Sequence, residues 1–88
     1  MNTYKLTIAT PDGNQFQDEV YALYLRGAEG DLAVLTGHTP FITSVQAGKC
    51  RLQLPDDSER VATLDGGLLT VGADAVTLLS GSFQWEEG

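Results

Sequence analysis

The feature that most constrains this chain is an alternation of apolar and polar residues, interrupted every few residues by glycine, proline or aspartate. The segment Lys49–Leu54 shows it most clearly, because Cys50, Leu52 and Leu54 alternate with polar neighbours. Successive side chains of a strand point to opposite faces, so this period of two predicts β-strands rather than helices. Counting every such piece predicts about ten short strands between residues 4 and 85.

No segment offers an uninterrupted helix of ten or more residues. The best candidate would have to cross Gly27 and Gly30, and each glycine costs about 1 kcal/mol in a helix interior. The run from Val20 to Arg26 is apolar on both faces, which predicts one strand covered on both sides. With 88 residues and no repeat or linker, the chain is expected to form one all-β domain over residues 1–88, a sandwich or a barrel.

The charge balance narrows the possible partners. Twelve acidic residues against five basic ones give a net charge of −7. Nucleic acids and anionic membrane surfaces repel such a protein, so neither is expected as a partner, and direct insertion into lipid is not expected. The sequence has no apolar run near the roughly 20 residues of a membrane span and no apolar block of a signal peptide near Met1, which predicts a cytoplasmic protein.

A catalytic or metal site has little material in this sequence. There is one histidine, His38, and one cysteine, Cys50, with no recognised zinc spacing, and the serines form no known nucleophile motif. The glycines form no nucleotide-binding fingerprint. Cys50 lies on the apolar face of its strand and is expected to be buried and inert. We therefore predict no catalytic residue, no metal and no cofactor, and we expect Trp85 to cap the core.

Several turns and strands together carry a resemblance to a known family. They are, in order, Pro11-x-Gly13-x-x-Phe16, Gly27-x-x-Gly30-Asp31-Leu32-Ala33-Val34-Leu35-x-Gly37-His38-x-Pro40, Gly48-x-x-Arg51-Leu52, Gly66-Gly67-Leu68-Leu69-x-Val71 and Val76-Thr77-Leu78-Leu79. This pattern covers residues 4 to about 80 and resembles the epsilon subunits of F-type ATP synthases, called delta in mitochondria. The chain departs from the family at Ala33, Thr36 and Ala47, where glycine, proline and proline are common. These departures concern the rigidity of loops.

The resemblance implies a flattened ten-stranded β-sandwich that works as a non-catalytic rotor part of the central stalk. It implies docking on the gamma subunit and the c ring, which couples rotation driven by protons or sodium ions to ATP synthesis at the cytoplasmic face of the membrane. The positions that match the gamma contact are Thr10, His38 and Thr43. The positions that match the contact with the polar loops of the c ring, which usually carry basic and amide groups, are Glu29, Gly30 and Asp31. The turns expected to shape these loops contain Pro11, Gly13, Gly37, Pro40, Gly48, Gly66 and Gly67.

Two expectations concern regulation and alternatives. The family normally continues into a hairpin of two helices that restrains ATP hydrolysis, and this chain ends at Gly88, where that hairpin would begin. Without the hairpin, the chain is expected to lack that inhibition, and the sequence leaves open whether it is naturally short or a piece of a longer protein. His38 has an alternative role as a loop residue that hydrogen-bonds its own turn. The alternative for the whole chain is a small acidic carrier of the biotinyl or lipoyl kind, which would need a lysine such as Lys5 or Lys49 at a hairpin tip.

Overall fold

The computed structural model describes residues 2–86, which form ten β-strands and no helix. The strands are β1 (Tyr4–Thr10), β2 (Gly13–Val20), β3 (Ala22–Gly27), β4 (Gly30–Leu35), β5 (Phe41–Val45), β6 (Gly48–Gln53), β7 (Glu59–Leu64), β8 (Gly67–Val71), β9 (Ala75–Ser80) and β10 (Phe83–Trp85). The predicted all-β class and the predicted number of strands are confirmed. The strands agree because period-two patterning and turn residues are local properties of the chain.

The strands form two five-stranded layers. We call β4-β3-β6-β7-β10 the first sheet and β5-β8-β9-β1-β2 the second sheet. All pairs are antiparallel except β1 with β9, which run parallel. The layers share one hydrogen-bonded corner, where Gly27 of β3 pairs with Val45 of β5. This pair joins the two layers into one continuous hydrogen-bonded sheet.

The core lies between the two sheets and is filled by every second residue of their strands. Leu52 of β6 and Leu69 of β8 are fully buried, and so is the thiol of Cys50. Other side chains with almost no exposure come from both sheets: Leu6, Ile8, Val20, Leu23, Val34, Val71, Val76 and Leu78. Burial of an aliphatic side chain contributes about 1.5–3 kcal/mol, so this layer carries most of the stability.

The open edge between β2 and β10 is closed by aromatic rings. Trp85 meets Phe83 and Phe16 edge to face, with ring centroids 5.0 and 6.0 Å apart. The guanidinium carbon of Arg60 lies 3.6 Å from the centroid of the Trp85 ring. Such a contact is worth roughly 0.5–2 kcal/mol. Trp85 thus covers the core, in agreement with its predicted role.

One sequence prediction differs from the structure. The run Val20–Arg26 is two strands, because β2 ends at Val20 and β3 begins at Ala22. Between them the Tyr21 N–H donates to the Gln53 carbonyl oxygen at 2.9 Å as the chain passes from the second sheet to the first. Both phases of the run are apolar because Val20 and Leu23 enter the core from opposite layers. The expected single strand with both faces covered is therefore wrong.

All connections from an odd-numbered to an even-numbered strand lie at one end of the sandwich, which we call the five-turn end. Its turns touch each other: Gln46 Nε2 donates to the Ala28 carbonyl oxygen at 3.3 Å, and the Ser82 N–H donates to Asp65 Oδ1 at 3.0 Å. The remaining connections lie at the opposite end. Each strand crosses the sandwich once, so turn residues far apart in sequence become neighbours.

The predicted turn glycines shape the five-turn end in two ways. Gly66 has a positive φ of 102°, a conformation that favours glycine. A Cβ on Gly67 would lie only 1.9 Å from the carbonyl oxygen of Leu79, so this position needs a residue without a side chain. The other predicted turn residues lie in connections or at the first residue of a strand: Pro11, Gly13, Gly37, Pro40 and Gly48.

Candidate interaction surfaces

The described residues offer no obvious chemistry for a reaction. Nowhere in residues 2–86 do three histidine, cysteine, aspartate or glutamate side chains come together as a possible metal site. Burial raises the pKa of the Cys50 thiol to about 12, so it stays protonated and unreactive at neutral pH. The same span contains no helix with the length and hydropathy of a transmembrane segment. The surfaces of the sandwich are therefore the candidates for function.

The outer surface of the first sheet, which we call the charged face, is built from paired ions. Arg26 lies 3.4 Å from Asp31, and Arg51 lies 3.4 Å from Glu59. Lys49 makes a third pair of the same length with Glu86. These charges rim a groove of about 810 Å³. The cations of this face are matched within the chain, and each exposed pair is worth only about 0–1 kcal/mol.

An arginine of the charged face also covers the aromatic ring of Tyr24 on the same face. The guanidinium carbon of Arg51 lies 4.7 Å from the centroid of the Tyr24 ring. Leu35, at the opposite end of β4, is the large apolar side chain of the first sheet that stays half exposed, at 50%. The carrier alternative finds no support here, because Lys5 lies within β1 and Lys49 within β6 rather than at a hairpin tip.

The outer surface of the second sheet is different, and we call it the neutral face. Its centre carries no charge, because the side chains that alternate with the core residues of β5, β8, β9 and the second half of β1 are neutral: Thr7, Ala9, Ile42, Ser44, Leu68, Thr70, Thr77 and Leu79. The charged pair Lys5 of β1 and Glu19 of β2 lies at the margin of this face. Leu68 lies directly opposite Leu79 in the ladder. Ile42, Leu68 and Leu79 are exposed by 67%, 43% and 47%. A contiguous apolar patch of this kind marks an interaction site in a soluble domain.

A sandwich that docks on a partner should leave one apolar patch uncovered, but the sequence does not say which strand face carries it. The alternation marks two faces for each strand without saying which face meets the other sheet. Leu68 and Leu69 look alike in the sequence, yet Leu69 is fully buried. A usable signal was the absence of charge at the outward positions of β8 and β9, since most other strands carry lysine, arginine, aspartate or glutamate.

His38 lies in the connection between β4 and β5, at the end opposite the five-turn end. Its Nδ1 lies 2.6 Å from the Leu35 carbonyl oxygen and its Nε2 lies 2.9 Å from the Gly72 carbonyl oxygen. The ring also meets the Tyr4 ring edge on, with centroids 5.3 Å apart. His38 therefore ties two connections together, which is the loop role considered above, while it remains half-buried beside β5.

Tyr4 stabilises the region around His38 from the core side. Its hydroxyl donates a 2.7 Å hydrogen bond to the Val34 carbonyl oxygen on the edge strand β4. Burial, with a smaller contribution from Tyr24, holds the pKa of Tyr4 well above its ordinary value, so the hydroxyl remains a donor. This bond covers one carbonyl of an edge strand that would otherwise be open to pairing.

Thr10 and Thr43 lie elsewhere in the second sheet. Thr10 ends β1 at the five-turn end, and its hydroxyl accepts hydrogen bonds from the Asp12 N–H at 3.2 Å and from Gln15 Nε2 at 3.1 Å. Thr43 lies in the middle of β5, next to Ile42. The three positions matched to gamma thus do not touch each other, and Thr43 lies opposite the buried Leu69, on the inner side of β5.

Glu29, Gly30 and Asp31 come together in the β3–β4 turn at the five-turn end. Glu29 is exposed, and Gly30 has a positive φ of 125° as the chain enters β4. The Asp31 side chain is 89% exposed and faces Arg26 across the hairpin. The structure thus presents this segment on a surface distinct from the neutral face.

Comparisons with known proteins agree with this architecture. A family model described as the beta-sandwich domain of the ATP synthase Delta/Epsilon chain matches residues 3–86. A sodium-ion-specific ATP synthase epsilon chain from Acetobacterium woodii is 34% identical over 85 residues, covering 97% of this chain and 64% of that protein. The ATP synthase epsilon chain of Bacillus subtilis is 35% identical over 88 residues, covering all of this chain and 66% of that protein. The chain spans slightly less than two thirds of both relatives.

Solved structures show the same fold. A chain of the Euglena gracilis mitochondrial ATP synthase superposes with a TM-score of 0.89 at 21% identity, covering 94% of this chain and 53% of that chain. A chain of the Tetrahymena thermophila mitochondrial ATP synthase, from its central stalk and c ring, superposes with a TM-score of 0.75 at 13% identity, covering 93% and 66%. The predicted β-sandwich is therefore confirmed.

Proposed function

The chain belongs to the family of ATP synthase delta/epsilon chains through their β-sandwich domain, and from this premise we propose that it is a non-catalytic subunit of the rotor of an F-type ATP synthase. In this role it docks on the gamma subunit and on the c ring, at the cytoplasmic side of the membrane, and helps to couple ring rotation to ATP synthesis. The driving ion is a proton or a sodium ion. The relatives in Acetobacterium woodii and Bacillus subtilis support this proposal.

The observation that carries the proposal is the neutral face. The protein has a net charge of −7, yet the adjacent strands β5, β8, β9 and β1 turn a charge-free centre outward around Ile42, Leu68 and Leu79. Two of the three positions that the family resemblance matched to gamma, Thr10 and His38, lie at opposite ends of this sheet. Exposed leucine and isoleucine side chains gain free energy when a partner removes them from water, at about 25 cal/mol per Å². We therefore assign the neutral face to the gamma subunit.

The size of the neutral face indicates that this contact is not sufficient alone. Four strands about 4.8 Å apart and about five residues long cover roughly 14 by 17 Å, or about 240 Å² on each partner. A stable interface of standard size buries about 800 Å² on each partner. A second contact is therefore needed, and linking two weak contacts raises the overall affinity without strengthening either of them.

The β3–β4 turn is suited to that second contact. Glu29 forms no ion pair within residues 2–86, and Asp31 is held only by one exposed pair with Arg26. Exchanging such a pair for a partner's cation costs about 1 kcal/mol or less. We assign this turn to the polar loops of the c ring. The chain then bridges ring and stalk with two surfaces of one rigid sandwich.

Rigidity is what coupling requires from such a part. Torque passes through a body without loss only if the body does not deform, and a close-packed core resists deformation. Here the interior is packed from both sheets, and the two sheets share the corner at Gly27 and Val45. The sandwich can therefore act as a strut between its two contacts.

The proposal is tested by introducing one charge on either face. Leu68→Glu places a carboxylate in the neutral face, whereas Ala33→Glu places one at an exposed position of the charged face. A buried unpaired charge costs about 2–5 kcal/mol in a complex, so co-purification with gamma should weaken about 30-fold or more for Leu68→Glu only. Thermal melting should confirm that both variants fold. Equal retention of both variants would contradict the assignment of the face, and failure of the unaltered chain to bind gamma at micromolar concentration would contradict the function.

A further inference from the structure

The single histidine of the chain lies between two carbonyl oxygens. Nδ1 of His38 is 2.6 Å from the carbonyl oxygen of Leu35, the last residue of β4. Nε2 is 2.9 Å from the carbonyl oxygen of Gly72, in the connection between β8 and β9. The half-buried ring also stands edge on to the Tyr4 ring. Both ring nitrogens are thus engaged within the chain, and both face groups that can only accept a hydrogen bond.

This arrangement satisfies only one protonation state of the ring. A neutral imidazole donates from one nitrogen and presents a lone pair at the other. Between two carbonyl oxygens, a neutral His38 would bring that lone pair within 2.9 Å of an oxygen that cannot donate. The imidazolium form donates from both nitrogens, and hydrogen bonds from a charged donor are about twice as strong as neutral ones. The geometry therefore favours the doubly protonated ring.

The charged and titratable groups around His38 agree with a positive ring. The Tyr4 hydroxyl of β1 is a neutral hydrogen-bond donor. Lys5, the next residue of β1, lies on the other side of that strand, opposite Glu19 of β2. Asp74 is exposed in the same connection as the second carbonyl, β5 has no titratable residue, and that of β4 lies at its far end. The net charge of −7 adds a negative field that stabilises a cation.

The connection that His38 fastens leads into the neutral face. Residues 36–40 carry the chain from β4 of the first sheet to β5 of the second, and Ile42 is the second residue of β5. Strand β8, which ends directly before Gly72, is the ladder partner of β5. The bond from His38 to Gly72 therefore joins the entrance of β5 to the end of its neighbour. Ile42, the most exposed large apolar side chain of the neutral face, lies beside this junction.

We propose that His38 is a protonation-dependent clamp. In the imidazolium form it locks the β4–β5 connection to the β8–β9 connection and holds Ile42 in place for a partner. When the ring loses a proton, one of the two hydrogen bonds is lost and the connection loosens. His38 is thus a positioning residue, because its nitrogens bond within the chain and it acts on the neutral face through β5. The effect on binding rests on the proposed function, in which gamma covers that face, whereas the clamp itself does not.

Thermal melting at two pH values tests the clamp. An ordinary histidine titrates near pH 6.5, so a ring that folding holds protonated stabilises the fold below that pH and loses this contribution as the pH rises. His38→Gln removes the titration and keeps a side chain that can form one of the hydrogen bonds. This variant should lower the melting temperature by roughly 4–8 °C more at about pH 5.5 than at about pH 8.5.

The matched control lies in the same connection. Thr36 Oγ1 donates to the Asn2 carbonyl oxygen at 2.7 Å, so Thr36→Val removes a tether that has no titratable group. Its loss of melting temperature should be the same at both pH values. A loss in His38→Gln that is equally independent of pH would show an ordinary loop hydrogen bond and would overturn the clamp. No loss at either pH would overturn it as well.

Nuclear magnetic resonance of the ring nitrogens gives a direct second readout. Because the chain has one histidine, the signals need no assignment. At about pH 7 the folded chain should carry a proton on both ring nitrogens in most molecules, whereas the chain unfolded in urea should be mostly neutral. A folded chain whose ring has one N–H at this pH, as in urea, would contradict the proposal.

Binding to gamma separates the clamp from the proposed function. Only the ordered connection presents the complete neutral face, so the affinity should follow the ordered fraction. The ratio of the affinities of the unaltered chain and His38→Gln should be roughly 2- to 5-fold larger at about pH 5.5 than at about pH 8.5. Titrating groups of gamma cancel in this ratio. A ratio that does not change with pH, beside the expected melting result, would overturn the effect of the clamp on the neutral face. Failure of the unaltered chain to bind gamma at either pH would contradict the proposed function, and melting and resonance would still decide on the clamp.

Discussion

Both outer faces of the sandwich are formed by strands in which apolar and polar residues alternate. Their exposed side chains differ, because one face carries ion pairs and the other carries apolar groups. On the charged face, Arg26 and Arg51 are matched by Asp31 and Glu59, and Arg51 also covers the Tyr24 ring. On the neutral face, Leu68 and Leu79 lie side by side with no charged or aromatic cover. One face is completed by the chain itself, and we propose that the other is completed by a partner.

The difference between the charged face and the neutral face shows how a small domain can keep most of its surface hydrated and still offer an apolar binding surface. The charged groups keep most of the surface hydrated, and they also keep like-charged copies apart. Three of the four exposed large apolar side chains within residues 2–86 lie on the second sheet, where a flat partner can cover them. The assignment of function to one face can therefore be examined by changing the two faces in parallel and comparing stability with binding.

The largest expected effect lies in the core that both faces share. Leu52→Ala should lower the free energy of unfolding by about 2–5 kcal/mol, because Leu52 is fully buried between the sheets. Leu68→Ala, on the neutral face, should cost much less. Chemical denaturation of both variants measures the contrast. If Leu52→Ala unfolds at the same denaturant concentration as the unaltered chain, the assignment of inner and outer positions on β6 is wrong.

The next effect separates the two faces in binding. Ile42→Ser on the neutral face should weaken binding to gamma by roughly 5- to 30-fold, because the lost apolar contact is worth about 1–2 kcal/mol, while stability changes little. Leu35→Ser is the matched control, because Leu35 is similarly exposed but belongs to the first sheet. Titration calorimetry with gamma gives both values. A loss of affinity for Leu35→Ser that matched the loss for Ile42→Ser would remove the distinction between the faces.

A smaller effect is expected on the charged face itself. Arg51→Ala removes an exposed ion pair with Glu59 and a cation–π contact with Tyr24, so the free energy of unfolding should fall by about 1 kcal/mol or less. Binding to gamma should not change. Arg51→Lys keeps the charge and should recover part of the loss. A clear loss of gamma binding in Arg51→Ala would place this face in an interface.

The smallest effect appears only in acid and concerns the five-turn end. The folded protein holds the pKa of Asp65 below its ordinary value, so the carboxylate stabilises the fold above the unfolded pKa, and this contribution is lost as the pH falls through the folded pKa. Asp65→Asn should therefore be less stable than the parent at pH 7, with a difference that shrinks below about pH 4. Denaturation at several pH values measures it. A difference that stays constant with pH would contradict this role of the carboxylate.

The strands and turns could be predicted from the sequence because they depend on residues that are close together in the chain. The alternation in β6 and the turn chemistry of Gly66–Gly67 depend on residues a few positions apart. The exposed β3–β4 turn could be expected for the same reason. The break at Tyr21 was missed because Val20 and Leu23 are both apolar, although they enter the core from opposite sheets. Periodicity alone cannot distinguish two consecutive strands in different sheets from one strand that is covered on both faces.

The surfaces could not be predicted from the sequence, because they depend on contacts between segments that are far apart in the chain. His38 joins Leu35 to Gly72, which is 34 residues away, and no local pattern predicts that pairing. A groove at the five-turn end brings Asp12 beside Asp65 and Gln84. These arrangements depend on which hairpins stack on which, and stacking is decided by the shape of the whole core.

The sequence by itself determined an acidic, all-β chain with ten short strands and few residues suited to catalysis, because composition, period and turn residues act within a few residues of each other. Only the tertiary structure decided which side of each strand became a surface. Leu68 and Leu69 are chemically identical neighbours, and the packing of one sheet on the other buries Leu69 and leaves Leu68 half exposed. The neutral face exists because ten strands shared one core and had more apolar positions than that core could enclose.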